Sequence, residues 1–232
     1  MTQDRRNLSP LRRAWTEIIQ ANDYDDHMAA VGQAQANARL VLRFLAENSF
    51  APDSRIIFVG AGTGQMLDFI PADALLGFST VFTDINVNYL AVLRSRLQQS
   101  GKTPARFGII VDDLENSSIR SEFAAVIAVL VLEHLDWRKA IASMGKLGQR
   151  MFVIVQENPP GLSTAMTRGR ATFGSMAVFE SLDSERIDPG VLEKEFASHG
   201  LALFRKFVEE VLDGKKMVGY QFEPSSSVRS DR

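Results

Sequence analysis

The sequence predicts an α/β protein built around a mostly parallel β-sheet that helices cover on both faces. Five short apolar segments rich in β-branched residues alternate with helical patterns between Arg55 and Glu157. Their apolar runs are continuous rather than alternating, which is typical of parallel strands buried on both faces. A chain of 232 residues that is 45% hydrophobic can bury one such core. We therefore expect a single α/β domain with attached helices.

Composition and charge indicate the class of partner. Lys and Arg total 26 against 28 Asp and Glu, a net charge of -2. The sequence therefore lacks the basic surface of a nucleic-acid or anionic-membrane binder. It has no cysteine, signal-peptide pattern or long apolar run, which argues against disulfides, thiolate metal sites and a membrane span. We expect a cytoplasmic protein with a small-molecule substrate and no metal, nucleic acid or membrane partner, and both monomer and homodimer remain open.

Two helices are predicted before the first strand. Ser9 and Pro10 form an N-cap followed by proline at the first helical position, and apolar residues up to Ile19 follow with helical spacing. A second helix is predicted from about Asp26 to Glu47, before the polar segment NSFAPDS. We therefore divide the chain into a helical lid at 1–50, a core at 51–223 and a tail at 224–232.

The core strands are predicted at RIIFV, TVFTD, ARFGIIVDD, AAVIAVLV and MFVIVQE. Between the second and third, INVNYLAVLRSRLQQSG has the spacing of a crossover helix. Its apolar face is predicted to consist of Val87, Leu90, Ala91 and Leu97, and Gly101 is predicted to end it.

The region after the fifth strand is predicted to combine a long loop, a helix and a hairpin. Residues 158–180 are irregular, and such long loops are usually functional, so we expect a substrate wall there. Asp188 and Pro189 predict a helix start. The apolar residues of that helix are Val191, Leu192 and Phe196. LALFRKFVEEVL and KKMVGYQFE, joined through a tight Asp213-Gly214 turn, predict an antiparallel hairpin.

The segment VGAGTG places a glycine-rich turn between the first strand and a short helix. Ligands of parallel sheets bind at this edge, and glycines allow backbone amides to approach a ligand closely. A dinucleotide turn needs its third glycine one position later, where Gln65 stands, and no P-loop Lys-Ser/Thr follows. The spacing argues against both classes of phosphate-binding turn.

The chain resembles class I S-adenosylmethionine-dependent methyltransferases over about residues 50 to 223. The resemblance implies a Rossmann-like three-layer sandwich with a seven-stranded sheet whose seventh strand is antiparallel. It implies S-adenosyl-L-methionine as cofactor and S-adenosyl-L-homocysteine as product. In that family a G-x-G-x-G turn holds the methionine part of the cofactor. This turn corresponds here to Gly60, Gly62 and Gly64, with Ala61 between the first two.

Two further family signatures are present. An acid that closes the second strand binds both ribose hydroxyls in the family, and Asp84, followed by Ile85, matches it in VFTDIN. A carboxylate can accept hydrogen bonds from both hydroxyls. An acid after the third strand caps the adenine amine, and VDDLEN fits with Asp113, or less well Asp112, while Leu114 supplies the amide. These matches imply a nucleoside site at the sheet edge.

The sequence departs from the family pattern at two positions. Phe58 stands where members usually carry an acid that organises the loop and the ammonium of the cofactor, and Ala124 replaces an Asp often found at the start of strand four. We expect backbone carbonyls of Gly60 and of the segment near Val129 to receive the ammonium, with a contribution from the N-terminal helices.

Catalytic and substrate-binding residues are harder to predict, because the cofactor activates the methyl group and positioning contributes most. His134, after strand four, is our candidate for a base, and Glu133 ranks below it. LEHL is also a common structural turn of the family. Tyr24, His27 and Asn158 are candidate substrate contacts, although solvated helix-start residues and a stiff NPPG turn explain them as well.

The sequence therefore predicts methyl transfer to a small molecule by in-line displacement. The first alternative is a regulatory or scaffolding protein that binds the cofactor without transfer, which Phe58 and Ala124 favour. A second alternative, methylation of a nucleobase or of glutamine, is suggested by NPPG at 158–161, because Asn-Pro-Pro followed by an aromatic residue marks such methyltransferases. In those enzymes the motif follows strand four, whereas here it follows strand five and its fourth residue is Gly161. Aminopropyl transfer is disfavoured because it requires extra acids to bind a polyamine, and only Glu133 and Asp136 follow strand four.

Overall fold

The protein, analysed as a computed structural model, is described over residues 8–99, 106–159, 174–182 and 186–225. The strands are β1 (Ser54–Val59), β2 (Phe78–Asp84), β3 (Arg106–Val111), β4 (Ala125–Val129), β5 (Met151–Glu157), β6 (Leu201–Glu210) and β7 (Lys216–Pro224). They form one seven-stranded sheet in the order β3-β2-β1-β4-β5-β7-β6. Pairings from β3 to β5 are parallel, and β7 is antiparallel to both neighbours. The predicted mostly parallel sheet with an antiparallel C-terminal hairpin is confirmed.

Six α-helices occur in the described part of the chain. They are α1 (Pro10–Arg13), α2 (Ala21–Val31), α3 (Gln33–Glu47), α4 (Val87–Gln99), α5 (Trp137–Met144) and α6 (Pro189–Ser198). A π-helical turn at Ala14–Ile18 continues α1. The predicted N-cap is present, since Ser9 Oγ accepts a hydrogen bond from the Arg12 amide at 3.2 Å. Asp188 caps α6 in the same way.

Helices cover both faces of the sheet. Ile56 and Phe58 of β1 belong to a hydrophobic cluster with α3 and α4, whereas Ile57 and Val59 belong to a second cluster with α5 and α6. All four side chains are at most 2% exposed. Burial on both faces explains the continuous apolar runs of the central strands, and it confirms the three-layer arrangement.

The predicted helix from Asp26 to Glu47 is wrong in its extent. The structure has two helices that meet at Gly32, whose φ of 71° lies in the left-handed region. Glycine adopts this conformation without the strain that a Cβ causes, so it ends α2. Because α2 starts at Ala21, Tyr24 and His27 lie inside a helix and not at its start.

Three predicted core positions and one turn also differ. On α4, Val87 is 56% exposed and Ala91 is exposed, while Tyr89 and Leu93 are buried instead. Val191, in the first turn of α6, is 39% exposed. Gly101 and residues 160–173 of the predicted substrate wall lie outside the described residues. The β6–β7 connection is a 3₁₀ turn at Leu212–Gly214 and not a two-residue turn.

Candidate functional site

The turn after β1 needs glycine at three positions. Gly60, Gly62 and Gly64 have φ angles of 62°, 58° and 72°, a region in which other residues are strained. A Cβ atom at Gly60 would lie 2.3 Å from a methyl carbon of Val131, and one at Gly64 would lie 3.0 Å from Cγ of Leu93. The turn therefore packs closely against the loop after β4 and against α4, as a tight backbone turn at the sheet edge requires.

A cavity, here called the main cavity, opens at the carboxyl ends of β1 to β4, beside the point where the strand order reverses. The space that it encloses is about 680 Å³ when the open solvent at its mouth is included. Ligands of open α/β sheets bind at this position. The predicted residues that line it are Tyr24, Gly60, Gly62, Asp84, Ile85, Asp112, Asp113, Leu114, Val129 and His134.

Other predicted residues lie elsewhere. Ala61 lines a second, smaller cavity, and Gly64 lies against Leu93 beneath the turn. His27 and Asn158 line neither cavity. His27 is only 8% exposed, so the alternative of a solvated helix-start residue is wrong, and burial followed by the charge of Lys215 lowers its pKa.

Asp84 ends β2 with both carboxylate oxygens bound to backbone amides. Oδ2 accepts from the Gly62 N–H at 2.9 Å, and Oδ1 accepts from the Asn86 N–H at 2.8 Å. Burial raises the pKa of Asp84, and these amides together with that of Ile85 partly oppose the shift. Each carboxylate oxygen accepts more than one hydrogen bond, so both can also receive ligand hydroxyls. Asp84 thus orders the glycine turn while it lines the main cavity.

The acids after β3 accept hydrogen bonds from Arg12 and Ser118, which the sequence analysis did not single out. Asp113 accepts from Arg12 Nη2 at 2.6 Å, and Glu115 accepts from Arg12 Nη1 at 2.9 Å. Asp112 accepts from the backbone amide of Ser118 at 3.0 Å. Arg12 therefore ties α1 across the β3 side of the main cavity. Arg12 belongs to no motif, and in the sequence it looks like an ordinary basic residue of a helix.

The loop after β4 contains a strained residue and two buried titratable groups. Leu130 has a φ of 51°, which is costly for a residue with a branched side chain. Glu133 Oε1 accepts from the Gln156 amide at 3.0 Å, while Oε2 has no partner among the described residues, and burial raises its pKa to about 7. Burial lowers the pKa of His134 to about 4, and its Nδ1 also has no partner there. At neutral pH, His134 is an uncharged and weak base.

Aromatic rings gather in one wall of the main cavity, where Trp15, Tyr24, Tyr89 and His134 line it. The ring centroid of Trp15 lies 4.8 Å from that of His134 and 5.4 Å from that of Phe179. Tyr24 packs edge-on against Trp15 and stacks on Tyr89. We call these five residues the aromatic cluster. Trp15, Tyr89 and Phe179 were missed by the sequence reasoning, because an aromatic residue with helical spacing looks like ordinary core.

The N-terminal helices are also bound to the glycine turn. The Asp25 carboxylate accepts hydrogen bonds from Thr63 Oγ1 and from the Arg96 guanidinium. Gln65 Nε2 donates to the Tyr24 hydroxyl at 2.9 Å. These contacts join α2 to the segment that follows β1, and residues from α1 to α3 form part of the walls of the two cavities.

The smaller cavity, here called the inner cavity, continues from the main cavity behind Gly60. Tyr24, Gly60, Val129 and Leu130 line both. The inner cavity is also bounded by the ring of Phe58, which stacks on Phe82 with centroids 5.2 Å apart. Its wall therefore has an aromatic ring at the position where the resemblance implied an acid.

Over the described ranges, we find no group of three or more His, Asp or Glu side chains arranged to hold a metal ion. Within the same ranges, no helix combines the length and apolar composition needed to cross a bilayer.

Comparisons with known proteins find likeness at the level of structure. No family model and no curated protein matches. Magnesium protoporphyrin IX methyltransferase from Synechocystis, solved with S-adenosylhomocysteine, has a TM-score of 0.64 and 14% identity over 92% of both chains. Geranyl diphosphate C-methyltransferase from Streptomyces coelicolor has a TM-score of 0.58 and 11% identity over 81% of this chain and 79% of that one.

The neighbours differ in what they act on. A Pyrococcus horikoshii protein provisionally assigned to RNA methylation has a TM-score of 0.53 and 17% identity over 85% of both chains. At such identities the likeness shows the fold alone, and that fold is the one expected from the sequence.

Proposed function

We propose that this chain, which has the class I S-adenosylmethionine-dependent methyltransferase fold, binds S-adenosylmethionine in the main cavity and transfers its methyl group to a small molecule. The observation that carries the proposal is the meeting of the three-glycine turn, Asp84 and the segment Asp112–Leu114 around one cavity. These residues come from three loops, and each carries the side chain or backbone that one part of such a cofactor needs.

The residues fit the cofactor from one end of the cavity to the other. The turn Gly60–Gly64 would hold the methionine part, and Asp84 would accept hydrogen bonds from the ribose hydroxyls. Ile85 and Leu114 would contact the adenine, and Asp113 would accept a hydrogen bond from its amine. The left-handed φ angles of the glycines let backbone approach the ligand closely. When bound, the cofactor supplies a sulfonium methyl that is already activated for displacement.

The acceptor binds at the mouth, between the aromatic cluster and the loop after β4. Trp15 Nε1 and His134 Nδ1 are buried there without partners in the described structure. A small acceptor that is partly aromatic or apolar would pack against the rings. A hydrogen-bonding group on it would pair with the indole N–H of Trp15 or with Nδ1 of His134. The coverage of the cavity by residues of the N-terminal lid, together with the net charge of -2, favours a small molecule over RNA.

Two groups in the loop after β4 are candidates for proton transfer. With a pKa lowered to about 4, His134 accepts a proton weakly at neutral pH. Glu133 has a pKa of about 7 and an unpaired oxygen, but it lines neither cavity, whereas His134 lines the main cavity. Because a base must reach the proton that it removes, we keep His134 above Glu133 for acceptors that must lose a proton.

The cofactor assignment is tested by calorimetry with S-adenosylmethionine and S-adenosylhomocysteine. We expect saturable binding of both, and Asp84→Ala should weaken it by roughly 1 to 3 kcal/mol because the hydroxyl acceptor and a support of the glycine turn are lost. Asp73→Ala, at an exposed acid outside both cavities, is the matched control and should bind as the wild type does. Absence of saturable binding of either ligand to the wild type would overturn the proposal.

Transfer is tested separately with a methyl-labelled cofactor and a screen of small acceptors. Label found in an acceptor, and lost when the glycine turn is disrupted by Gly60→Val, supports the enzyme. Saturable cofactor binding without label transfer across the screen would favour the regulatory or scaffolding alternative, which Phe58 and Ala124 suggested.

A further inference from the structure

One polar side chain that lines the inner cavity has a buried oxygen atom without a hydrogen-bond partner in the described structure. Asn37 of α3 lines this cavity and is 1% exposed, and its amide oxygen Oδ1 has no hydrogen-bond partner among the described residues. Buried amide oxygens are almost always hydrogen-bonded, because leaving one unpaired loses the bond it made with water. An unpaired oxygen beside a cavity indicates a missing donor.

The other polar side chains of the inner cavity lie in hydrogen-bonding contact with neighbours. The Tyr24 hydroxyl accepts from Gln65 Nε2 at 2.9 Å, and Gln65 Oε1 lies 2.9 Å from Thr63 Oγ1, whose single proton is shared with the Asp25 carboxylate. No charged side chain of the described structure lines this cavity. Among the side chains that line it, Asn37 is the one whose buried oxygen has no partner in the described structure.

Asn37 lies near the end of the main cavity at which we expect the methionine part of the ligand. The inner cavity adjoins the main cavity at Gly60, Val129 and Leu130, which is the methionine end under the function proposed above. The side chain that faces this region from β1 is Phe58, an apolar ring at 2% exposure. A charged amine at this end has three N–H donors and no acceptor, so it requires acceptor oxygens.

We propose that Asn37 accepts a hydrogen bond from the α-ammonium of the cofactor, and so replaces from α3 the acid that is absent at Phe58. The inference rests on the proposed function, because it assumes that a methionine nucleoside occupies the main cavity. The Asn37 amide is neutral, so the charge of the ammonium is balanced by the ligand's own carboxylate and not by a protein side chain.

The test compares two ligands that differ by the amino-acid group. S-adenosylhomocysteine carries the ammonium, whereas 5′-methylthioadenosine has the same nucleoside and sulfur without it. Asn37→Leu should weaken S-adenosylhomocysteine binding by about tenfold or more in calorimetry, and change 5′-methylthioadenosine binding by less than about twofold. Asn37→Asp keeps an acceptor oxygen and should bind S-adenosylhomocysteine at least as tightly as the wild type.

Gln35→Leu provides a matched control on the same helix. Gln35 also has a buried side-chain oxygen without a partner in the described structure, but it lines neither cavity. It should leave both affinities unchanged.

Each outcome of the comparison discriminates. Equal weakening of both ligands by Asn37→Leu, or no weakening of S-adenosylhomocysteine, would overturn the role of Asn37 while the proposed function stands. Wild-type protein that binds 5′-methylthioadenosine but neither S-adenosylhomocysteine nor S-adenosylmethionine would overturn the proposed function, and this inference with it. Failure of the wild type to bind either ligand would overturn the proposed function and this inference with it.

Discussion

Glu133 and His134 are neighbours in the loop after β4, and burial acts on their protons in opposite directions. It raises the pKa of Glu133 to about 7 and lowers that of His134 to about 4. In both cases the neutral form is favoured because the charged form loses hydration. At neutral pH, His134 is therefore uncharged beside the main cavity, whereas Glu133 is divided between its neutral and its charged form.

These shifts predict a pH dependence of folding stability. The folded pKa of Glu133 lies above its ordinary value of 4.5, so its contribution to stability is full below pH 4.5 and is lost as the pH rises through about 7. The folded pKa of His134 lies below its ordinary value of 6.5, so its contribution is lost as the pH falls from 6.5 through about 4. The two oppose each other between pH 4.5 and 6.5, and only Glu133 acts above that window.

We expect Glu133→Gln to remove the loss of stability on the alkaline side. Urea unfolding at pH 5 and pH 8 should show that the wild type loses roughly 1 to 3 kcal/mol more than the variant over this interval. Glu122→Gln, at an exposed position, is the control and should follow the wild type. Parallel curves for wild type and Glu133→Gln would contradict the buried, proton-binding carboxyl described here.

Helix α1 and the π-helical turn after it form the element that covers the β3 side of the main cavity. One polar link to the core is the pairing of Arg12 with Asp113 and Glu115, in which the three side chains are 12%, 6% and 8% exposed. A second is the hydrogen bond that Asn86 Nδ2 donates to the Trp15 carbonyl at 2.8 Å. The planar guanidinium contacts both acids at once. Because Asp113 is also the expected partner of adenine, closing of this element and binding of the base use the same carboxylate.

We expect Arg12→Ala to loosen this element without unfolding the sheet. Two acids would then lie side by side without their cation, and their repulsion would favour opening of the N-terminal segment. Hydrogen exchange followed by mass spectrometry should show faster exchange in residues 8–19, with little change in β1, β4 and β5. The exposed neighbour Arg13→Ala is the control, and equal exchange in both variants would refute the link.

At the scale of the molecule, the sequence predicts what is local and misses what is brought together by folding. The five parallel strands lie within a few residues of their predicted places, because burial on both faces leaves continuous apolar runs. The glycine turn, Asp84 and Asp113 could be located because each follows a strand end. Gly32 could not be recognised as a helix end, since one glycine within a helical pattern costs only about 1 kcal/mol.

The residues that the sequence analysis missed are brought to the site by contacts between distant parts of the chain. Arg12 meets Asp113 across 101 positions of the chain, and Trp15 meets His134 across a similar separation. Asn37 lies within an alanine-rich helix with no motif around it. Their importance depends on how the N-terminal helices pack on the carboxyl edge of the sheet, and a linear pattern does not encode that packing.

Trp15, in the wall of the main cavity, also provides an optical signal. The chain has two tryptophans, and the other, Trp137, is the first residue of α5 and is 2% exposed. In Trp137→Phe, emission would come from Trp15 alone, whose indole lies beside the imidazole of His134. We expect its fluorescence intensity or wavelength to change when S-adenosylhomocysteine enters, and to follow entry and release in stopped-flow mixing. An unchanged spectrum at saturating ligand would place the ligand away from Trp15.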